Sequence, residues 1–295
     1  MNDNTAPIIV GVDGTIAAQH AARWAGGLAD RLGTPLQIVH AMHHIGYQFS
    51  DGMAAVAAAS ADAQREAAPM ILKTVAEAVR YAHPNLDIST LALDEPAEDA
   101  LKTLSRHARL LVLGCDELTP GVALLVGSLT LDLCGHTECP VIAWRGELLE
   151  PTTRPIVVGV DGSSDAALEL AFDLAVALGA PVQAVHAWSM RVPAGEVSIP
   201  FLVDWAAIEL QQVNALNRAV EPYRRSHPDV TVTVLVDAAR PRRALLQQLV
   251  DAQMVIVGSR GRTPLAATVL GSTSLNMLHH SPVPVAVCPA KAHAQ

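Results

Sequence analysis

Aromatic residues are scarce in this chain of 295 residues, at 3% of the total, although hydrophobic residues make up 51%. A core with so few rings has to be aliphatic, built from Val, Leu, Ile and Ala. Strands that are buried on both faces of a parallel sheet read as continuous aliphatic runs of this kind. The composition therefore favours helices packed on a buried parallel sheet.

Long apolar runs, paired cysteines and a basic surface are also missing. No run approaches the ~18 residues of a membrane span, and Met1 to Pro7 carries no signal-peptide hydrophobic region. The four cysteines form no CxxC pair, so we expect reduced thiols. A net charge of -9 argues against a nucleic-acid partner. We therefore expect a soluble, cytoplasmic protein with no membrane span.

An internal repeat runs through the whole chain. IIVGVDGT at Ile8 returns as IVVGVDGS at Ile156, and CPVIAW at Cys139 returns as VPVAVC at Val283. The offset between equivalent residues drifts only from 148 to 144, so a whole domain is duplicated rather than a short solenoid unit. The polar, proline-bearing stretch after Trp144 is typical of a linker. We predict domains at 1–145 and 156–295, joined by a linker at 146–155.

Aliphatic strands alternate with helical patterns in each copy, which predicts a parallel, doubly wound α/β sheet. Such sheets bind ligands at the carboxyl ends of their strands, where the strand order reverses. In the first copy the predicted strands are Ile8–Val12, Leu36–Ala41, Leu86–Leu91, Leu110–Leu113 and Val141–Trp144. The predicted helices are Ala17–Leu32, Ala61–Tyr81, Ala97–Ser105 and Ser128–His136.

The first strand of each copy ends in Gly-Val-Asp-Gly, which places Asp13 and Asp161 at strand ends. A carboxylate there can accept hydrogen bonds from ribose hydroxyls or from adenine. The same dipeptide, Asp-Gly, is also common in Asx turns and at helix caps. Taken alone, this pattern favours the structural role.

A glycine motif follows the fourth strand of the second copy: Gly258 and Gly261, nine further residues, then Gly271 and Ser272. Glycines allow the backbone to approach a bulky anion closely. The helix that opens at Gly271-Ser272 offers free N–H groups and the positive end of its dipole. A plain glycine loop before an N-capped helix is the alternative, and the Asp161 turn and the repeat make it the weaker interpretation.

Two arginines, Arg260 and Arg262, lie within this motif and could neutralise phosphate charge. Other nucleotide and hydrolase signatures are missing from the sequence. There is no GxxxxGK[ST] motif, no GxGxxG after either first strand, and no G-x-S-x-G elbow. A P-loop ATPase, a dinucleotide enzyme and a serine hydrolase are therefore disfavoured.

The pattern G-x2-G-x9-G-[ST], with V-D-G-S upstream, resembles that of the universal stress protein family, and the whole chain is similar to tandem mycobacterial and actinobacterial members. The resemblance implies two doubly wound domains of the adenine nucleotide alpha hydrolase type, each a five-stranded parallel sheet in the order 3-2-1-4-5. It also implies ATP as ligand, with or without Mg²⁺. Carried over to this sequence, the nucleotide site comprises Asp161, Val185, Gly258, Arg260, Gly261, Arg262, Gly271 and Ser272.

Partners and role follow from the same resemblance. Because family members pair through their last strands, it implies an internal pseudo-dimer through Val141–Trp144 and Val285–Cys288. Homodimers of whole chains are a further expectation. The implied role is regulatory, in stress response or growth control, through a protein partner that the sequence does not identify.

The first copy departs from the motif, because Glu117 replaces the second glycine and Asp116 replaces the arginine. Two carboxylates would repel a triphosphate by ~1 kcal/mol per pair at about 4 Å in water. Our hypothesis is that this copy binds ATP weakly, or binds only the nucleoside part through Asp13. The residues of this weaker site are Asp13, Val39, Gly114, Gly127 and Ser128.

Two other functions stay open: a slow ATPase, and a structural pseudo-dimer without ligand. The sequence shows no base beside the glycine motif, and the intact second copy argues against a ligand-free protein. None of the twelve histidines joins a cluster with metal-ligand spacing, so we expect no metal site. His40 and His186 are repeat equivalents with expected structural roles. Arg191–Trp205 is interpreted as a flap or an interface.

Overall fold

The computed structural model describes residues 6–42, 51–115, 127–162, 164–188, 204–238, 240–259 and 270–290. The chain divides into two compact units, Met1–Pro151 and Thr152–Gln295. These two units are the first and the second domain of the chain.

The first domain alternates strands and helices along its whole length. Its elements are β1 (Ile8–Gly11), α1 (Ile16–Leu32), β2 (Leu36–Met42), α2 (Asp51–Ala82), β3 (Ile88–Pro96), α3 (Ala97–Ser105), β4 (Leu110–Gly114), α4 (Ser128–His136) and β5 (Val141–Trp144). All neighbouring strands pair in parallel, in the order β3-β2-β1-β4-β5. The predicted doubly wound α/β fold and its 3-2-1-4-5 order are confirmed.

The second domain repeats this plan. Its elements are β6 (Ile156–Gly159), α5 (Asp165–Leu178), β7 (Val182–Ala187), α6 (Trp205–Ser226), β8 (Val232–Asp237), α7 (Pro241–Gln247), β9 (Met254–Gly258), α8 (Ser272–His280) and β10 (Val285–Cys288). The strand order is β8-β7-β6-β9-β10, again parallel throughout. Each element therefore has a counterpart in the first domain.

Aliphatic strands form the core of each domain, as the composition predicts. The side chains of Ile8, Leu111, Ile156 and Ile256 are completely buried. All four cysteines are also buried and free. Burial raises the pKa of Cys288 to about 12, so this thiol stays protonated near neutral pH. Among the described residues, no helix has the length and apolarity to cross a membrane.

Local signals set the limits of α1. Thr15 caps its start by accepting a hydrogen bond from the Ala18 N–H, and Gly33 ends it in the left-handed region at φ 61°. Gly179 ends α5 with φ 62°. These two glycines are where each domain turns from its first helix into its second strand.

Two elements of the first domain differ from the prediction by more than one residue. The α2 helix begins at Asp51 rather than at Ala61, because the alanine-rich run before Ala61 has strong helix propensity without an amphipathic pattern to mark its start. The β3 strand runs from Ile88 to Pro96 rather than from Leu86 to Leu91. A turn precedes it, in which the Leu86 N–H donates to the His83 carbonyl at 3.2 Å.

Candidate functional site

A crevice opens at the carboxyl edge of the first domain's sheet. The chain turns to β2 on one side of β1 and reaches β4 on the other, so the strand order reverses here. The crevice is shallow, with a cavity volume of about 90 Å³. Three of the predicted residues line it, namely Asp13, Val39 and Gly114. This is the place where doubly wound sheets bind ligands.

The other two predicted residues of the first domain stand at the start of α4. Gly127 is the N-cap of this helix and Ser128 its first residue. The crevice itself is lined by the next two residues, Leu129 and Thr130. The strand ends and the start of α4 therefore lie around the same crevice.

In the second domain, the predicted Asp161 and Val185 come together at the carboxyl ends of β6 and β7. Gly159 pairs with Val185 in the sheet. The N–H of Val160, next to Asp161, donates to the Val185 carbonyl at 2.9 Å. The aspartate after the first strand thus lies beside the backbone of the second strand.

Gly258 ends β9, and α8 starts next to it. The Gly271 N–H donates to the Ser259 carbonyl at 2.8 Å. The buried Ser274 hydroxyl donates to the Gly258 carbonyl at 2.5 Å. Two hydrogen bonds therefore hold the first turn of α8, which begins with Ser272, against the end of β9.

The start of α8 has no side-chain cap, because its N-cap residue is Gly271. The first N–H groups of a helix have no partner within the helix, and no acceptor for those of Ser272 and Thr273 is found among the described residues. The positive end of the helix dipole lies at the same place. This arrangement can bind an oxyanion.

The two aspartates also have structural roles. Asp13 Oδ1 accepts hydrogen bonds from the Thr15 N–H at 2.9 Å and from the Thr15 hydroxyl at 2.7 Å. Asp161 Oδ1 accepts from the Ser164 hydroxyl at 2.8 Å, and Ser164 Oγ accepts from the Asp161 N–H at 2.7 Å. Each carboxylate is held in a turn at the start of a helix, and being held there is compatible with contact to a ligand.

Two buried histidines support these turns. His40 Nδ1 lies 2.8 Å from the Val12 carbonyl, and His186 Nδ1 lies 2.7 Å from the Val160 carbonyl. A carbonyl only accepts, so Nδ1 carries the proton in both rings. The sequence identifies the two histidines as repeat equivalents. It does not reveal that each ring donates a hydrogen bond to the carbonyl of the residue before an aspartate.

Packing alone explains one predicted phosphate residue. A Cβ on Gly114 would lie 2.5 Å from the backbone oxygen of Ala17, so glycine at the end of β4 allows α1 to approach the sheet. A Cβ on Gly127 would meet nothing within 4 Å. Gly114 is thus required by the fold, whether or not a ligand is bound.

Sequence reasoning missed a cluster of arginines at the start of α7. Arg240 is its N-cap, and Arg242 and Arg243 lie in its first turn, all three exposed. Cations are unfavourable at the positive end of a helix dipole. The described residues place no salt bridge on any of them. The sequence shows this cluster as RPRR at 240–243, where the first copy has PAED at 96–99.

The positive charge of this arginine cluster also acts on His280, the last residue of α8. Partial burial, and then the positive charges of Arg242 and His279, lower the pKa of His280. The equivalent α3 residues in the first domain are Glu98 and Asp99. The two domains therefore carry opposite charge at the same point of the fold.

Several predicted residues lie outside the described part of the chain. They are Arg260, Gly261 and Arg262 in the second domain, Asp116 and Glu117 in the first, and most of the stretch from Arg191 to Trp205. Within the described ranges, no three His, Cys, Asp or Glu side chains cluster as metal ligands would.

Known proteins resemble both domains. The model of the universal stress protein family matches residues 5–145 and 152–289. Universal stress protein Rv2623 of Mycobacterium tuberculosis is 32% identical over 290 residues, covering 95% of this chain and 95% of that protein. Universal stress protein Rv2005c of the same organism is 31% identical over 292 residues, covering 95% and 96%.

A solved structure resembles the whole chain. It is a universal stress protein from Archaeoglobus fulgidus, with a TM-score of 0.71 and 19% sequence identity, covering 98% of this chain and 100% of that one. At this level of sequence identity, the similarity supports a shared fold and nothing further.

Proposed function

This chain belongs to the universal stress protein family, with two copies of the family domain in tandem, and we propose that its second domain is an ATP-binding regulatory module. One observation carries the proposal. The uncapped start of α8 is held at the mouth of β9 by the Gly271 N–H and the Ser274 hydroxyl. Backbone amides and a helix dipole are thereby fixed where a phosphate group can be bound.

The residues around this point suit the parts of ATP. The amides of Ser272 and Thr273 would hold phosphate oxygens. Asp161, beside the backbone of Val185, would accept hydrogen bonds from the ribose or the base. When bound, with or without Mg²⁺, the nucleotide would supply the phosphate oxygens that these amides can bind. Arg260 and Arg262 follow β9 in the sequence and add two positive charges.

The arginines at the start of α7 support the same conclusion. Arg242 and Arg243 sit where the helix dipole disfavours them, by about 0.3–1 kcal/mol each. Residues that are unfavourable for the local structure, such as these cations at a helix start, are expected at functional sites. A bound polyphosphate would turn this unfavourable charge into a favourable one.

We propose a regulatory output, because family membership points to stress response or growth control. Binding at Gly258 and Gly271 would change the charge of the surface around the start of α8. A local change of this kind can be read by a partner protein. The partner would distinguish the ATP-bound chain from the free one.

Calorimetric titration of the full chain with ATP tests the site. We expect Asp161→Ala and Gly271→Ala to lower the affinity about tenfold or more, the effect of losing one or two good contacts. The matched first-domain variants, Asp13→Ala and Gly127→Ala, should leave ATP binding unchanged. Circular dichroism would confirm that all four variants are folded. Unaltered ATP affinity in both second-domain variants would place the site elsewhere.

A further inference from the structure

One peptide bond just after β6 is held at both of its polar atoms. It joins Val160 to Asp161, the aspartate of the proposed nucleotide site. The Val160 carbonyl accepts a hydrogen bond from His186, whose Nδ1 lies 2.7 Å away. The Asp161 N–H, on the other side of the same bond, donates to Ser164 Oγ at 2.7 Å. The peptide plane that precedes the Asp161 side chain is therefore fixed.

The Asp161 side chain is held by the same hydroxyl group. Ser164 Oγ lies 2.8 Å from Asp161 Oδ1. An ionised carboxylate can only accept hydrogen bonds, so the hydroxyl donates to it. Ser164 is 4% exposed and His186 is 7% exposed, so little water reaches either side chain. Two buried side chains thus orient both the backbone and the carboxylate of Asp161.

Ser164 is also the N-cap residue of α5, but it does not cap the helix. Serine is favoured at this position because its hydroxyl accepts an N–H from the first helical turn. The Ser164 side chain accepts no such bond, and its backbone, at φ -99° and ψ 16°, lies outside the extended region that is typical of an N-cap. The hydroxyl is bound to Asp161 instead, and α5 lacks the stabilisation that a cap provides.

The first domain arranges the corresponding turn differently. Thr15 is the N-cap of α1, and its Oγ1 accepts from the Ala18 N–H at 3.2 Å. The same hydroxyl donates to Asp13 Oδ1 at 2.7 Å. Thr15 therefore stabilises its helix as well as its aspartate, whereas the Ser164 side chain is committed to Asp161 alone. The copy that keeps the intact glycine motif is the one that gives up the helix cap.

Holding Asp161 in place in advance affects how it can bind a ligand. Its Oδ1 accepts one hydrogen bond from Ser164, and an ionised carboxylate offers about four acceptor positions. The group can therefore still accept from a hydroxyl or an amino group of a nucleotide. A side chain that is already ordered loses less conformational freedom on binding. Ser164 can thus raise the affinity for a ligand that it does not touch.

We propose that Ser164 is a positioning residue of the nucleotide site in the second domain. It acts through Asp161, while His186 fixes the other side of the same peptide bond. The inference rests on the ATP binding proposed above for this domain. It adds to that site a buried hydroxyl that lies outside the glycine motif and sets the orientation of the carboxylate.

Calorimetric titration of the full chain with ATP tests this role through a double-mutant cycle. Ser164→Ala should lower the ATP affinity about three- to tenfold, the effect of one hydrogen bond of ordinary strength. In the Asp161→Ala background the same change should have no further effect, because Ser164 acts through Asp161. A hydroxyl that only stabilised the fold would lower the affinity equally in both backgrounds.

Two variants serve as controls. Ser164→Thr keeps the hydroxyl and should bind ATP as the wild type does. Thr15→Ala removes the hydroxyl beside Asp13; it should lower the Tm, because α1 loses its cap, and leave the ATP affinity unchanged. If circular dichroism shows that Ser164→Ala does not fold, His186→Leu takes its place in the cycle, because it removes the donor to Val160. His40→Leu is then the matched first-domain control.

The outcomes separate this inference from the proposed function. If Ser164→Ala binds ATP as tightly as the wild type while Asp161→Ala binds it more weakly, Ser164 does not position the site. An equal loss of affinity in both backgrounds would show that Ser164 acts on the fold and not through Asp161. If ATP does not bind the wild-type chain, or binds unchanged to Asp161→Ala, the function proposed for the second domain fails, and this inference fails with it.

Discussion

At the scale of single residues, the glycines of the first domain separate packing from binding. Gly114 and Gly127 occupy two positions of one motif, yet their surroundings differ. The backbone of Ala17 fills the space beside Gly114, and the space beside Gly127 is open. A glycine in a binding motif can therefore be required by the fold alone.

Replacing each glycine by alanine tests this difference. Gly114→Ala should lower the free energy of unfolding by about 1–3 kcal/mol, because the new methyl group would overpack α1 against β4. Gly127→Ala should cost less than about 1 kcal/mol, for a weaker N-cap. Urea unfolding followed by circular dichroism measures both. Equal losses in the two variants would show that Gly114 is not confined as described.

The aspartates show what sequence can and cannot supply at this scale. The pattern Gly-Val-Asp-Gly allows two interpretations of Asp13 and Asp161, and the hydrogen bonds to Thr15 and Ser164 realise the structural one in both domains. Short local patterns encode turns. The contact of His40 with Val12 joins a residue of β2 to the residue that follows β1, and no local pattern encodes it.

At the scale of elements, an ion-pair network joins α3 and α4. Lys102 lies 2.7 Å from Glu98 on its own helix and 2.7 Å from Asp132 on α4. Burial alone would lower the pKa of Lys102, but the carboxylates of Asp132 and Glu98 outweigh it and raise the pKa. The network thus positions α4, whose first turn lines the crevice.

Lys102→Met should lower the free energy of unfolding by about 1 kcal/mol, near the upper end for partly exposed pairs. Lys73→Met is the control, since Lys73 is exposed and lies 4.0 Å from Glu77; it should change stability little. A raised lysine pKa means that the contribution is full below about pH 10.4 and is lost as the pH rises through the higher folded value. The difference between wild type and Lys102→Met should therefore shrink in strong alkali. A constant difference across that range would contradict the account.

Elements with strong periodicity could be predicted from the sequence, and those without it could not. The helix over Ser128–His136 and the strand over Val141–Trp144 match the prediction. The predicted start of α2 was wrong, because an alanine-rich sequence favours a helix without marking the residue at which it begins. The α7 arginines were missed because they follow the third strand, whereas the motifs of this sequence follow the first and fourth strands.

At the scale of the whole molecule, duplication made the fold predictable. Two copies of one pattern give each strand assignment a second, independent test, and both domains have the 3-2-1-4-5 order. Duplication also allows the copies to diverge. Three positions show this divergence. The first copy has Leu129, Glu98 and Asp99, and the second copy has Thr273, Arg242 and Arg243 at the equivalent positions. The same scaffold thus carries different charges at equivalent positions of its two copies.

A crystal structure of the full chain grown with excess Mg²⁺ and ATP tests the central claim most directly. We expect electron density for a triphosphate at the amides of Ser272 and Thr273, with the ribose beside Asp161. The crevice beside Asp13 should hold no triphosphate. Well-ordered ATP at any other place, or a second-domain crevice filled by the protein's own side chains at saturating ATP, would contradict the account.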